Sequence, residues 1–309
     1  MHSESEPIYA TELGALYCGD SLEFMRQMPD DSVDLVVTSP PYALHFKKEY
    51  GNADQQDYVA WLLPFAWEIK RIIKPSGSFI LNLGGAWRPG SPIRSLYHYR
   101  VLLALADDVG FDLAQDFFWF NPAKMPAPAE WVNVRRIRVK DSVEYIFWLV
   151  KDPMAKADNR RVLNPYSADM KRLIRRGVKQ TTRPSGHVIN GTFANDQGGS
   201  IPSNLIQCGN NESNSAYIRN SKVAGTKIHP ARFPAELPRF FIEFLTDPGD
   251  MVMDPFAGSN TTGQVAEGLK RKWVGVEVRE DYARESRLRF EGLAEEDEPA
   301  SGQLALGFK

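Results

Sequence analysis

Apolar and polar positions along this chain follow two alternating rhythms. Short apolar runs occur at Ala15–Cys18, Val33–Val37, Ser78–Leu83, Ala114–Phe120, Val143–Val150, Met251–Met253 and Trp273–Val278, and each predicts a strand. Between most of them apolar residues recur at helical spacing, over Ser21–Met28, Gln55–Ile73, Pro92–Val109, Leu237–Leu245, Thr261–Leu269 and Arg279–Glu291. Strands alternating with amphipathic helices predict an α/β fold, a mostly parallel sheet with helices on both faces. Ala114–Val150 breaks the pattern. Its two strands are joined by a Pro- and Arg-rich connection without a clear helix, which predicts an antiparallel pair at one edge.

The periodicity fails from about Ala155 to Lys222, a stretch rich in Asn, Ser, Gly, Thr and Arg between two parts that read as halves of one sheet. The expectation is a main domain over 1–154 and 223–293, a loop-rich module inserted at 155–222, and a poorly ordered acidic tail at 294–309. No internal repeat is visible. With 309 residues, 43% of them apolar, the chain can bury a full core. A net charge of −2 says little about partners, but its distribution says more. Residues 151–222 hold 12 Lys and Arg against 5 Asp and Glu, a net of +7, whereas residues 291–309 hold 5 acids against one Lys. A basic stretch is most often a solvated face; it can also face phosphates. Two cysteines are too few for a disulfide framework or a zinc cluster, and no His, Asp and Glu cluster has metal-ligand spacing, so no metal is expected. No apolar run approaches the roughly 18 residues of a membrane span, and the N-terminal segment lacks the pattern of a signal peptide. A cytoplasmic location, with no membrane partner, is the expectation.

Two stretches carry chemistry. In "VDLVVTSPPYAL" an apolar strand ends in Ser39, two prolines and Tyr42 rather than in a Gly or Asn turn. Neither proline can donate a backbone hydrogen bond, and each has its φ fixed, so the corner is stiff. In "MVMDPFAGSNTTG" a short strand ends in Asp254, Pro255 and Phe256 turn the chain, Gly258 and Ser259 permit close backbone approach, Asn260 follows, and Thr261 begins a helix. This has the logic of a nucleotide crevice at the carboxyl end of a strand, although a full G-x-G-x-x-G is lacking. About 20 residues on, Glu277 ends the next strand, where an acid commonly takes a ribose hydroxyl pair.

These residues carry a resemblance. "TSPPY" and "DPFAGSNTTG" resemble the catalytic and cofactor motifs of the S-adenosylmethionine-dependent amino-methyltransferases of DNA, and their order resembles the circularly permuted β group. "KKEYGN", "EWVN", "RPSGH" and "HPARFPAELP" resemble PvuII-type cytosine-N4 methyltransferases, as does Ser rather than Asp before Pro-Pro. The resemblance implies a Rossmann-like seven-stranded sheet with an inserted target-recognition module. It implies S-adenosylmethionine as cofactor, double-stranded DNA as substrate, a companion restriction endonuclease acting on the same site, and a monomer or weak dimer. By the same resemblance Asp20 of "LYCGD" receives the adenine amino group, with an N-cap as its alternative role. Lys227 or His229 approaches the methionine carboxylate, while Arg183 and His187 of "RPSGH" read DNA. Asn82 stands where some relatives are expected to carry an acid.

The chemistry fits the corner. A cytosine amine is a poor nucleophile because its lone pair is delocalised. The Ser39 hydroxyl and the Pro40 carbonyl can accept its two hydrogens, Pro40 and Pro41 hold that carbonyl rigid, and Tyr42 can stack on the base once it leaves the duplex. A cytosine-C5 enzyme would need a nucleophilic thiolate, typically from a Pro-Cys pair; Cys18 follows Tyr17 and Cys208 follows Gln207. Two alternatives stay open at this point: the same reaction on adenine N6, and a nucleotide-liganded DNA-binding regulator without chemistry.

Overall fold

Six consecutive buried residues, Val33–Thr38, show how an apolar run becomes the centre of a sheet. Leu35 and Val37 face one core and Val36 the other, with Val33 at the start of the strand packing in the same cluster as Val36. Asp34 is the one charge in the run. Its carboxylate is met by Lys74 Nζ at 2.8 Å and accepts the Met251 amide at 2.9 Å, so the buried charge is paired.

The computed structural model describes residues 6–43, 55–177, 181–182, 188–189, 195–210, 215–226 and 234–291. Its elements are, in chain order, β1 (Tyr9–Ala10), β2 (Gly14–Cys18), α1 (Ser21–Gln27), β3 (Val33–Thr38), α2 (Tyr58–Ile72), β4 (Ile73–Gly84), α3 (Tyr97–Asp107), β5 (Asp112–Phe120), β6 (Val143–Val150), α4 (Ala168–Arg176), β7 (Thr181–Thr182), β8 (Val188–Ile189), β9 (Leu205–Gln207), α5 (Ala216–Ala224), α6 (Glu236–Leu245), β10 (Met251–Asp254), α7 (Thr261–Gly268), β11 (Lys272–Glu277) and α8 (Glu280–Glu285). All seven predicted strands and all six predicted helices are present, with ends shifted by a few residues.

Nine strands form one sheet in the order β1-β2-β11-β10-β3-β4-β6-β5-β9. From β2 to β4 every pairing is parallel, and β6 runs antiparallel to both neighbours. The count exceeds the expected seven because two short strands extend the edges. β1 pairs with β2, and β9 pairs with β5. The antiparallel β5–β6 pair is therefore not at the edge; β9 covers it. Helices α1, α2 and α3 bury their apolar stripes on one face, and α6, α7 and α8 on the other. Among the described residues no helix is long and apolar enough to cross a membrane.

The chain divides into two units, and the division corrects the expected boundaries of the insertion. The smaller unit is Asp158–Ser203 rather than 155–222. Residues after it return to the larger unit: β9 joins the sheet, and Asn220 of α5 donates to the Leu288 carbonyl at 2.9 Å. Within the smaller unit α4 is capped by Ser167, buries no residue and carries Lys171, Arg172, Arg175 and Arg176. β7 and β8 pair antiparallel, and Asn164 bridges to Ser200.

Connections leave β3 toward β4 and leave β10 toward β11, in opposite directions along the sheet. The carboxyl ends of β3 and β10 thus flank a topological switch point, where open α/β sheets bind ligands. The two chemistry-bearing stretches begin at those two ends.

Candidate active site

One buried carboxylate ties the two strand ends together. Asp254, at the end of β10, is 2% exposed. It accepts the hydroxyl of Thr38 at 2.6 Å, that of Thr262 at 2.8 Å and the amide of Phe256 at 3.1 Å. Thr38 is the last residue of β3, immediately before Ser39. Burial pushes the Asp254 carboxyl up to about 6, against the bonds from the two threonines. A carboxylate so engaged inside the fold braces the loop rather than offering itself to a ligand. Asp254 thereby positions the turn expected to hold the cofactor.

The raised value has a stability consequence. The contribution of Asp254 is full below its ordinary value of 3.8 and is lost as pH rises through about 6, because the folded state resists its ionisation. Asp254→Asn removes that titration along with part of the hydrogen bonding. The unfolding free energy of the variant relative to wild type should therefore rise by about 3 kcal/mol between about pH 3.5 and about pH 6.5. Denaturant titrations of both proteins across that range check this.

The turn after Asp254 is fixed from within. Asn260 has φ 55°, caps α7 by accepting the Gly263 amide at 3.0 Å, and donates to the Tyr9 hydroxyl at 2.9 Å. Arg289 donates to the Ser259 carbonyl at 2.5 Å and to its hydroxyl at 2.9 Å. Ser259, Asn260 and Thr261 are all buried. Their side chains shape the turn.

Glu277 and Asp20 are placed differently. Register puts Glu277 beside Cys18, so the ends of β11 and β2 adjoin. Glu277 accepts the Gly258 amide at 2.8 Å through one oxygen and the Arg279 amide at 2.9 Å through the other. Each oxygen keeps a further acceptor site. Burial raises its carboxyl above the usual range. Gly258 has φ 53°, a conformation that favours glycine. Asp20 caps α1, accepting the Leu22 amide at 2.8 Å through Oδ1. The half-buried ring of Phe256 packs against Trp61 and Phe65. Two carboxylates with spare acceptor sites, a left-handed glycine and an aromatic ring form a donor set suited to an adenosine. Lys227, His229, Arg183 and His187 lie outside the described residues.

The Ser-Pro-Pro-Tyr corner is held by hydrogen bonds. Tyr58 donates to the Pro41 carbonyl at 2.8 Å. Ser39 Oγ donates to the Tyr42 hydroxyl at 3.1 Å, and Tyr42 donates to Glu144 Oε2 at 2.7 Å. Asn82 Nδ2 donates to the Tyr42 hydroxyl at 2.9 Å, while Asn82 Oδ1 is buried without a hydrogen-bond partner. A buried orphan acceptor is costly, roughly 1–3 kcal/mol, unless another group meets it. The Tyr42 ring lies against Gly84, where an added Cβ would come within 2.4 Å of a ring carbon. Gly84→Ala should displace the ring and lower turnover about tenfold or more by misplacing the corner. Steady-state kinetics beside a melting curve would separate this from unfolding.

Both thiols are poor nucleophiles. Burial pushes Cys208 up to about 12 and also raises Cys18.

The sequence pointed to Ser39 and Tyr42 but missed Thr38, Glu144 and the bracing role of Asp254. Glu144 had one visible signal: it is the only charge within the apolar run Val143–Val150.

Comparison with known proteins agrees with this geometry. A family profile described as DNA methylase, of the N6/N4 kind, matches residues 33–287. The Type II methyltransferase M.PvuII of Proteus hauseri is 53% identical over 288 residues, 92% of this chain and 86% of that one. The Type II methyltransferase M.BglII of Bacillus subtilis is 26% identical, over 87% of this chain and 67% of that one. Among solved structures, the cytosine-N4-specific PvuII DNA methyltransferase superposes with a TM-score of 0.77 at 46% identity, covering 93% of this chain and 89% of that one. M1.HpyAVI in its SAM complex shares the fold, with a TM-score of 0.53 at 20% identity, over 90% of this chain and all of that one. With a stiff Ser-Pro-Pro-Tyr corner braced against a turn-and-helix crevice, and a family match spanning most of its length, this chain belongs to the N6/N4 DNA methylase family.

Proposed function

We propose that this protein transfers a methyl group from S-adenosyl-L-methionine to the exocyclic N4 amine of a cytosine turned out of duplex DNA. The observation that carries the reading is the bond from Thr38 to Asp254, which fixes the Ser39 corner beside the cofactor turn. Relatives named as Type II methyltransferases support it, and the cytosine-N4 specificity of the PvuII enzyme favours cytosine over adenine N6.

When bound, the cofactor supplies an electrophilic methyl on a sulfonium. Glu277 would take its ribose hydroxyls, Asp20 its adenine amino group, Phe256 would pack on the adenine, and Lys227 or His229 would bind its carboxylate. Ser39 Oγ and the Pro40 carbonyl accept the two amine hydrogens, which favours a pyramidal nitrogen with its lone pair directed at the methyl. Tyr42 supplies the stacking surface, held in place by Gly84 and Asn82. Because the acceptors are preorganised, little reorganisation is needed at the reaction.

Two stretches carry the DNA-facing charge. Residues 158–203, with 8 Lys and Arg against 3 Asp, read the target, Arg183 and His187 among them. The β5–β6 connection adds Arg135, Arg136, Arg138 and Lys140, in a stretch that is exposed from Asn133 to Lys140. The protein works as a monomer or weak dimer in the cytoplasm, alongside a restriction endonuclease of the same specificity. Transfer of tritiated methyl from the cofactor to duplex DNA tests the reading. Binding of DNA without transfer would favour a regulator instead.

A further inference from the structure

Beyond the Ser-Pro-Pro corner, three side chains form a hydrogen-bonded chain of a single polarity. Ser39 Oγ donates to the Tyr42 oxygen at 3.1 Å, and Tyr42 donates to Glu144 Oε2 at 2.7 Å. The direction is enforced at its far end, because an ionised carboxylate only accepts. It is enforced in the middle by Asn82, whose Nδ2 donates to the Tyr42 oxygen at 2.9 Å and reaches Ser39 Oγ and Glu144 Oε2 at 3.4 Å each. The phenol hydrogen is left to point at Glu144, and the serine hydrogen at the phenol. A lone pair of Ser39 remains for the substrate amine.

Glu144 is brought there by topology. It lies opposite Gly84 in the antiparallel β4–β6 ladder, so its carboxylate stands at the same sheet end as Ser39. Lys124 Nζ lies 3.1 Å from its other oxygen, and the side chain is 14% exposed. Asn82, an amide, cannot take a proton at neutral pH. Burial, with the Glu144 charge beside it, raises the Tyr42 phenol well above its ordinary value, so it stays protonated and able to donate.

We infer that Glu144 is the terminal acceptor of the proton that the target amine sheds, reached through Ser39 and Tyr42, with Asn82 and Lys124 as positioning residues. The inference rests on the reading of Ser39 as the amine's acceptor. As the new C–N bond forms and the S–C bond breaks, the nitrogen becomes positively charged. An N–H bond then breaks and an O–H bond forms on Ser39. The original Ser39 hydrogen passes to Tyr42, and the phenol hydrogen passes to Glu144. The amine ends neutral, both hydroxyls are regenerated, and the carboxylate becomes a carboxylic acid. Its partly exposed edge returns the proton to water.

The test uses Tyr42→Phe, which keeps the ring, Glu144→Gln, which keeps the shape, and the double variant. Single-turnover methylation is measured with saturating cofactor and duplex DNA, and both affinities are measured by titration. Each single variant should lower the methylation rate about 10²-fold with both affinities unchanged, as for loss of one proton-transfer partner. The double variant should be no slower than the slower single, because both changes cut one chain. A wild-type rate in either single variant, or losses that multiply in the double, would overturn the relay. If wild type itself transfers no methyl to DNA, the proposed function fails and the relay with it. Active wild type with undiminished variants rejects the relay alone.

Discussion

Alanine at position 39 should lower methylation of duplex DNA about 10²-fold or more and leave cofactor affinity unchanged. The magnitude is that of losing one preorganised hydrogen-bonding group in a catalytic site. The split between turnover and affinity comes from the geometry. Ser39 Oγ is engaged with Tyr42, whereas Asp254 and Glu277, the two carboxylates that organise the cofactor turn, are engaged with Thr262 and Gly258. The Thr38–Asp254 bond survives the substitution. The change therefore removes an acceptor that matters most as the amine becomes pyramidal, and it spares the cofactor crevice. Single-turnover rates beside calorimetric titration of the cofactor would show it. Near-normal turnover, or a parallel loss of affinity, would reject the role given to Ser39.

Glu277→Ala should have the opposite signature. Its carboxylate joins Gly258 of the turn to Arg279 at the start of α8, and it is the acceptor proposed for the ribose. Truncation leaves both amides without their charged partner and also removes the ligand contact. Hydrogen bonds to charged groups contribute about 1.5–3 kcal/mol, so cofactor affinity should fall roughly 10- to 100-fold. The single-turnover rate at saturating cofactor should fall much less. Titration by calorimetry decides between this and a purely structural Glu277, for which melting temperature would drop at constant affinity.

Much of the architecture was legible because the physics is local. Strands buried on both faces must be apolar throughout, and helices covering them must be striped, so the alternation survives in the sequence. β1 and β9 were missed because two or three residues carry no period. The end of the insertion was placed too late because β9 and α5 sit in Asn- and Ser-rich sequence, although the larger unit packs them. The candidate site was legible where conformation is written in residue type. Two prolines after Ser39, and Gly258 at positive φ, are such places. It was illegible where direction decides. A carboxylate at a strand end looks the same whether it faces a crevice, as proposed for Glu277, or turns inward to Thr38 and Thr262, as Asp254 does. Glu144 is 102 residues from Tyr42, and only the antiparallel ladder brings the two together.

The central claim is that this site methylates the exocyclic amine of cytosine, and the identity of the product base tests it most directly. The full-length protein is incubated with unmethylated duplex DNA and S-adenosyl-L-methionine, the DNA is digested to nucleosides, and these are resolved by mass spectrometry against standards. N4-methylcytosine is expected, formed by wild type and nearly absent with Ser39→Ala. Detection of N6-methyladenine or 5-methylcytosine in its place, or of no methylated nucleoside at all, would contradict it.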